Sequence, residues 1–437
     1  MSSADTIYAL ASAPGKSGVA VVRASGERAK IALQNLSSIT HLKPRLAQLA
    51  TLKFEGVEID KALVIFFEGP NSFTGEDVAE FHIHGGRAVV QKLFSALGSL
   101  GLRMAEPGEF TRRAFLNGKL DLTEAEGLAD LINAETESQR LQALNQLSGA
   151  LSAFYEDLRL RLLRILAHVE ADIDFPDEDL PPDLLASRVA EIETLIRDVK
   201  NHLNDARRGE RLRDGFSIAI LGAPNAGKSS LINALAQREA AIVSARAGTT
   251  RDVVEVHLDV SGYPVILADT AGLRDTSDDI EEEGIRRALQ RAESADLKLV
   301  LFDSGSPADE KSLSLLDDKS IAIQTKTDLQ KGPVKGLHVS AKTGEGVPEL
   351  LKAITEKLKI WTDEKASPPL TRQRHREALM HALEALQRAA TQAQAKAPYE
   401  LTAEELRTAA MALGRITGRV DVEDILDKIF REFCIGK

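Results

Sequence analysis

The segment Phe216-Ser-Ile-Ala-Ile-Leu-Gly222-Ala-Pro-Asn-Ala-Gly227-Lys228-Ser229 constrains the fold of this chain more than any other. Its continuous apolar run is the pattern of a buried strand, and it passes directly through a glycine loop into the helical text KSSLINALA. That succession demands an α/β layer with a phosphate-binding loop at the end of a strand. The glycines let backbone N–H groups curl around a β-phosphate, Lys228 supplies positive charge to the β and γ oxygens, and the Ser229 hydroxyl is a ligand for Mg²⁺.

Four further motifs follow in order. Gly248-Thr249-Thr250-Arg251-Asp252 offers a threonine, Thr250, to complete a Mg²⁺ shell, and Asp269-Thr270-Ala271-Gly272 ends the apolar strand YPVILADT with a carboxylate facing the metal. Thr325-Lys326-Thr327-Asp328 follows SIAIQ, and Ser340-Ala341-Lys342 comes last. A carboxylate at Asp328 accepts from guanine N1–H and the 2-amino group, an edge that adenine does not offer. The segment resembles the translation-factor class of small GTPases. Two positions depart from the usual pattern: Thr325 stands where Asn is expected, leaving a shorter hydroxyl strut, and Leu273 stands where a water-orienting Gln is common. Hydrolysis then needs another group, and the acids of LRDTSDDIEEEG (Asp278, Asp279, Glu281, Glu282, Glu283) are the nearest candidates, although an acidic run is by default a solvated face.

The remaining text is organised around this segment. With 437 residues the chain is long enough for about two to four domains. Short apolar runs such as GVAVVRASG, KALVIFFEGP and DVAEFHIHGG predict an α/β domain over 1–118. Leu, Ile and Ala then recur at helical spacing over 119–213, the nucleotide segment occupies 214–365, and 366–437 is helical again. One helical domain with an α/β domain inserted in it is the expected arrangement. A single Cys excludes an internal disulfide and a Cys-based metal site. The formal charge of −11 argues against nonspecific nucleic-acid binding, so any nucleic acid is met locally or with a partner. The N-terminus has no signal-peptide pattern and no apolar run reaches about 18 residues, so no bilayer insertion and a cytoplasmic location are expected.

Outside the nucleotide segment, GPNSFTGED (Gly69 to Asp77), HGG (His84 to Gly86), PGEFTRRAFLNGKLDLTEAE (Pro107 to Glu126) and the terminal Cys434-Ile-Gly-Lys437 together resemble the MnmE (TrmE) family of tRNA-modification GTPases. The likeness covers essentially the whole chain. It implies an N-terminal α/β tetrahydrofolate-binding-like domain that also dimerises, a discontinuous helical domain and an inserted Ras-like P-loop GTPase domain. It further implies GTP hydrolysis coupled, with a flavin-dependent partner (MnmG, or GidA), to installing an aminomethyl or carboxymethylaminomethyl group at C5 of the wobble uridine of certain tRNAs. The one-carbon donor would be 5,10-methylene- or 5-formyl-tetrahydrofolate.

Carried over residue by residue, the family's folate contacts fall on Arg23, Glu80, Lys119 and Lys437. Cationic groups suit folate's glutamate carboxylates, and a carboxylate pairs with pterin N–H donors; read without the resemblance, Arg23 and Glu80 are ordinary surface ions. The nucleotide set comprises Asn225, Ala226, Gly227, Lys228, Ser229 and Ser230; Ser244, Ala245, Arg246, Ala247, Gly248, Thr249 and Thr250; Asp269, Thr270, Ala271 and Gly272; and Thr325, Lys326, Asp328, Ser340, Ala341 and Lys342. The family uses K⁺ between facing G domains of a homodimer, for which Asn225 would supply a side-chain ligand and Ser244, Arg246 and Thr249 their carbonyls. Such a cation performs the charge neutralisation an arginine performs elsewhere. Glu281 matches the family's water-positioning glutamate.

Cys434 does not head a prenylation box, because Gly436 and Lys437 occupy the wrong positions; the resemblance places it beside the folate and uridine chemistry, and a lone buried thiol is the plain alternative. His82 and His84 alternate on a predicted strand without a third ligand at metal spacing, so packing or pocket lining is expected of them. Arg207, Arg208, Arg211 and Arg213 either touch tRNA or the partner, or complement a helix dipole. The competing reading is an Era- or Der-like ribosome-assembly switch, which calls for a second G domain or a basic RNA-binding module; neither pattern is present in the sequence.

Overall fold

The computed structural model describes residues 5–437 except 38, 175–182, 206, 239–240, 243–254, 270–292, 294, 331, 333, 363–367, 421 and 432. The chain divides into two compact units, one of Met1–Ala129, Gln146–His168 and Leu406–Lys437, the other of Asp130–Asn145 and Val169–Glu405.

The first unit is built on a six-stranded sheet. Strands β1 (Ile7–Leu10), β2 (Ala20–Ser25), β3 (Gln48–Phe54), β4 (Val57–Phe67), β5 (Val78–Ile83) and β6 (Arg103–Met104) lie in the order β3-β4-β5-β2-β1-β6. All neighbours are antiparallel apart from β1 with β6. Alternation decides what each face holds: Val22 and Ala24 of β2 and Phe81 and Ile83 of β5 join Val64 and Phe66 under the helices Ala29–Ser37 and Arg87–Ser99. Each fully buried side chain of that size contributes about 1.5–3 kcal/mol relative to exposure. Arg23, Glu80 and His82 are consequently on the opposite face.

The end of the chain belongs to this same unit. Leu426, Ile429, Phe430 and Phe433 pack with Leu122, Ala125 and Phe115, and Ile435 forms an antiparallel bridge with Pro107. Gly436 (φ +98°) lies so close to β1 that a Cβ there would stand 2.0 Å from the carbonyl oxygen of Leu10. Only glycine tolerates both that φ and that approach.

Among the described residues the second unit carries seven strands. These are β7 (Phe216–Gly222), β8 (Ala241–Ile242), β9 (Glu255–Val260), β10 (Tyr263–Asp269), β11 (Leu297–Asp303), β12 (Ser320–Thr325) and β13 (Leu337–Val339), ordered β13-β12-β11-β7-β10-β9-β8. From β13 to β10 the sheet is parallel, and β9 and β8 complete it antiparallel. The apolar run of β7 sits at the centre because both its faces are covered: Ile218 and Ile220 join Leu231, Leu235 and Ile354 on one side, Ala219 and Leu221 join Ala295 on the other. Strand order reverses around β7, and the C-terminal end of such a strand is where an open α/β sheet leaves a crevice for ligands. In the same unit the helices Asp183–Leu203 and Gln373–Gln394 pack along each other. N-terminal α/β, helical, nucleotide-type and again helical segments thus follow one another along the chain, as the expected fold class requires.

Candidate nucleotide and pterin sites

The glycine loop leaves β7 at Gly222, where a Cβ would stand 2.6 Å from the carbonyl of Leu301 on β11 and φ is +145°. The glycine therefore lets the loop start flush against the neighbouring strand. The loop then enters the helix Lys228–Arg238, whose first N–H groups have no intrahelical acceptor and face an incoming anion. Lys228 Nζ donates to the carbonyls of Gly222 (2.8 Å) and Ala223 (2.9 Å), which folds its charge back over the loop. Asn225 is exposed at the tip, with φ +63°; Ser229 and Ser230 are exposed at the start of the helix.

The Thr325-Lys-Thr-Asp328 motif is tied to the same loop through its first residue. Thr325, at the end of β12, donates from Oγ1 to the carbonyl of Ala226 (2.7 Å) and, more weakly, to that of Phe302 (3.2 Å). The shorter side chain acts as the strut for which an asparagine is usual. Lys326 Nζ pairs with Asp303 at 2.6 Å, and Asp328 Oδ1 accepts from Ser340 Oγ at 2.7 Å. Ser340 is itself fully buried and its N–H donates to Glu345 O. The carboxylate of Asp328 is thus held by one oxygen, with Ala341 and Lys342 in the turn that follows Ser340. The loop geometry, an amine turned inward and helix-start amides, fits a nucleotide polyphosphate. Asp269 ends β10, paired in register with Ile220. Ser244, Ala245, Arg246, Ala247, Gly248, Thr249, Thr250, Thr270, Ala271, Gly272 and Glu281 lie outside the described residues.

In the first unit the antiparallel register sets Arg23 opposite Glu80. Nε and Nη2 of Arg23 both donate to Glu80 Oε1, at 3.1 and 3.0 Å, in a partly buried pair. The rings of Phe73 and Phe110 flank the guanidinium, at 5.3 and 5.8 Å from their centroids. Glu80 also meets His82 Nε2 at 3.3 Å, whereas His84 turns to Asp60 (2.8 Å). The two histidines are therefore each aligned with a different carboxylate. Of the other two expected folate residues, Lys119 Nζ donates to Pro70 O at 2.9 Å and Lys437 N to Cys434 O at 3.3 Å. Cys434 is exposed, which sets aside the buried-thiol alternative. Phe73, Phe110 and Arg113 were not singled out by sequence; they lie within GPNSFTGED and PGEFTRRAFLNGKLDL, and motif membership was the available signal.

The basic cluster is largely engaged within its own unit. Arg211 pairs with Asp296 at 2.7 Å and lies over Trp361, Arg213 pairs with Asp214, Arg207 approaches Glu210 at 3.7 Å, and Arg208 is buried. Among the described residues no group of three or more His, Cys, Asp or Glu is arranged to hold a metal ion, and no helix is long and apolar enough to cross a membrane.

Two family models match the chain, "GTP-binding protein TrmE N-terminus" over residues 6–119 and "MnmE helical domain" over residues 122–434. A Parvibaculum lavamentivorans protein named tRNA modification GTPase MnmE is 54% identical over 437 residues, covering 99% of this chain and 100% of that protein. A protein of the same name from Paramagnetospirillum magneticum is 54% identical over 443 residues with the same coverage. The Danio rerio protein named 5-taurinomethyluridine-[tRNA] synthase subunit GTPB3, mitochondrial, is 48% identical over 469 residues, covering 99% of this chain and 93% of that protein. With its N-terminal and helical models both matched and relatives aligned from end to end, the chain belongs to the MnmE (TrmE) family.

Proposed function

We propose that this protein hydrolyses GTP as part of tRNA modification, in the cytoplasm, as a homodimer that works with a flavin-dependent MnmG-type partner on C5 of the wobble uridine. The bond from Thr325 to Ala226 carries the nucleotide half of this reading, because it ties the base motif to the phosphate loop. Lys228 binds the β and γ oxygens, Asp328 selects guanine, and Ser229 with Thr250 holds Mg²⁺, which when bound offsets the charge developing on the transferred phosphoryl group. Asn225, with the carbonyls of Ser244, Arg246 and Thr249, would hold K⁺, which would offset charge on the phosphates when the G domains of the dimer face each other. Glu281 orients the water. The working layout is 1–118 for folate binding and dimerisation, 119–213 with 366–437 for the helical domain, and 214–365 for the G domain; its support is that β1–β6 fall within the first segment and β7–β13 within the third.

The modification half rests on the pair Arg23–Glu80 and its flanking rings. A half-buried carboxylate and guanidinium between two aromatic faces suit a flat heterocycle bearing N–H donors and a carboxylate tail. Tetrahydrofolate, when bound there, supplies the transferred carbon; Lys119 and Lys437 meet its charged end, and Cys434 stands beside the reaction.

Steady-state GTP hydrolysis in KCl and in NaCl at equal ionic strength tests the first half, with Lys228→Ala as the control. A gain of roughly tenfold or more in K⁺, lost in the control, is expected for a cation that replaces an arginine finger. Equal rates in the two salts remove the cation mechanism, and no hydrolysis in either removes the GTPase reading. Transfer of label from tetrahydrofolate to tRNA in the presence of the flavoprotein tests the second half.

A further inference from the structure

We propose that Arg113 is a positioning residue for the ring-flanked pair Arg23–Glu80, acting by locking the loop Glu68–Asp77 to the helix Glu109–Leu116. The proposal rests on the folate reading of that pair given above. Arg113 is 5% exposed, yet its guanidinium reaches three carboxylates. Nη1 donates to both oxygens of Glu76 (3.2 and 3.1 Å) and to the main-chain carbonyl of Asp5 (3.0 Å). Nη2 donates to Asp5 Oδ1 (3.0 Å) and Glu109 Oε1 (2.9 Å).

Two of those acids sit beside the rings that flank Arg23. Glu76 is three residues beyond Phe73 on the loop, and Glu109 immediately precedes Phe110 on the helix. The loop has no regular secondary structure, so its shape depends on side-chain ties. Ser25 Oγ, on the strand that carries Arg23, donates to Glu76 Oε2 at 2.7 Å and shares a 2.7 Å bond with Thr74 Oγ1. Asn117 Nδ2 holds Thr74 O at 2.7 Å, and Ser72 Oγ donates to Glu76 O at 2.5 Å. The motifs GPNSFTGED and PGEFTRRAFLNGKLDL therefore form one hydrogen-bonded unit, with Arg113 joining loop, helix and the chain's N-terminal segment. A planar fork with five donors serves several acceptors at once; a lysine ammonium at this position reaches fewer of them. Without the fork, Phe73 and Phe110 lose what fixes their distances of 5.3 and 5.8 Å from the Arg23 guanidinium.

The test uses the full-length protein, with 5-formyltetrahydrofolate binding followed by calorimetry and hydrogen exchange followed over residues 69–77. Arg113→Lys is expected to weaken binding by about tenfold or more and to speed exchange in the loop, while the thermal midpoint shows that the chain stays folded. Asn117→Ala removes one loop tie without touching the buried charges, and is expected to shift both readouts in the same direction by a smaller factor. If Arg113→Lys fails to fold, Asn117→Ala decides. Wild-type affinity and wild-type loop exchange in a folded variant overturn the proposal. Failure of the wild-type protein to bind the folate overturns the folate reading of Arg23–Glu80 instead, and unchanged loop exchange in the variants then overturns the positioning role independently.

Discussion

The hydroxyl of Thr325 donates to the main-chain carbonyl of Ala226 at 2.7 Å, joining residues 99 positions apart in the chain. Ala226 belongs to the glycine loop after β7 and Thr325 opens the Thr-Lys-Thr-Asp motif, so one bond ties together the two segments proposed to hold the two ends of a nucleotide. A threonine suffices because β12 ends with Thr325 paired to Asp303 of β11, with Phe302 O as a second, longer acceptor.

Thr325→Val keeps the shape and removes the donor. It leaves the buried carbonyl of Ala226 short of a partner, at a cost of about 1–3 kcal/mol. GDP affinity is expected to fall by about five- to hundredfold, whereas Thr325→Asn, which brings an amide donor, stays within about threefold of wild type. Fluorescent GDP titration decides, and a Val variant that binds like wild type would show that the strut has no part in nucleotide affinity.

Gly436 predicts how the chain's end is held. An alanine there places Cβ against Leu10 O and forces φ out of +98°, so Ile435 leaves its bridge with Pro107. Carboxypeptidase is expected to remove Lys437 from Gly436→Ala at least about tenfold faster than from wild type. Equal rates would mean that the tail is not held by this contact.

His202 makes stability depend on pH. It is 2% exposed, and burial, only partly countered by Asp205 and reinforced by His375, Arg376 and Arg208, pulls its pKa down to about 4. The folded state therefore keeps the imidazole neutral while the unfolded chain takes up a proton near the ordinary pKa of about 6.5. Its contribution is complete above that pH and is lost as pH falls from 6.5 to about 4, a swing on the order of 3 kcal/mol. Urea unfolding at pH 7.5 and pH 4.5 measures it; His202→Gln should flatten the dependence, and an unchanged slope would assign it to other groups.

Arg376 clamps the chain just before β7. It donates to Asp205 Oδ1 (2.9 Å), Glu210 Oε1 (3.1 Å) and Leu203 O (2.9 Å), and Asp205 is 5% exposed. Arg376→Met removes the guanidinium from Asp205, which keeps the N–H groups of Arg207 and Leu370, and from Glu210, which keeps only the more distant Arg207; it is expected to cost about 1–3 kcal/mol, read as a lower denaturation midpoint. A loss below about 0.5 kcal/mol, the range of an exposed pair, would contradict the clamp.

Local pattern was enough wherever one periodicity met one burial state. The unbroken FSIAIL announced a strand covered on both faces, and the alternation in VAEFHI set Phe81 and Ile83 apart from Glu80 and His82. The strand, glycine loop and helix from Phe216 to Arg238 were legible for the same reason, since that succession needs particular residue types at short spacing. The arginines were legible in part: Arg211 and Arg213 lie in the last turn of the helix Arg208–Asp214, as the dipole reading expects, but Arg211 finds its acid 85 positions away in Asp296. A charge run says what the side chains carry and nothing of which partners the fold will bring.

The residues alone thus settled the strand and helix types, the phosphate loop, and the family motifs, all of which depend on neighbours within a few positions. Three-dimensional packing settled that Arg23 faces Glu80 between two rings, that Thr325 reaches Ala226, that Arg113 gathers three carboxylates, and that the last residues return to β1. Those pairings hang on strand register and on close backbone approach, and both are set by burying apolar side chains far apart in sequence, a condition that no short window of residues contains.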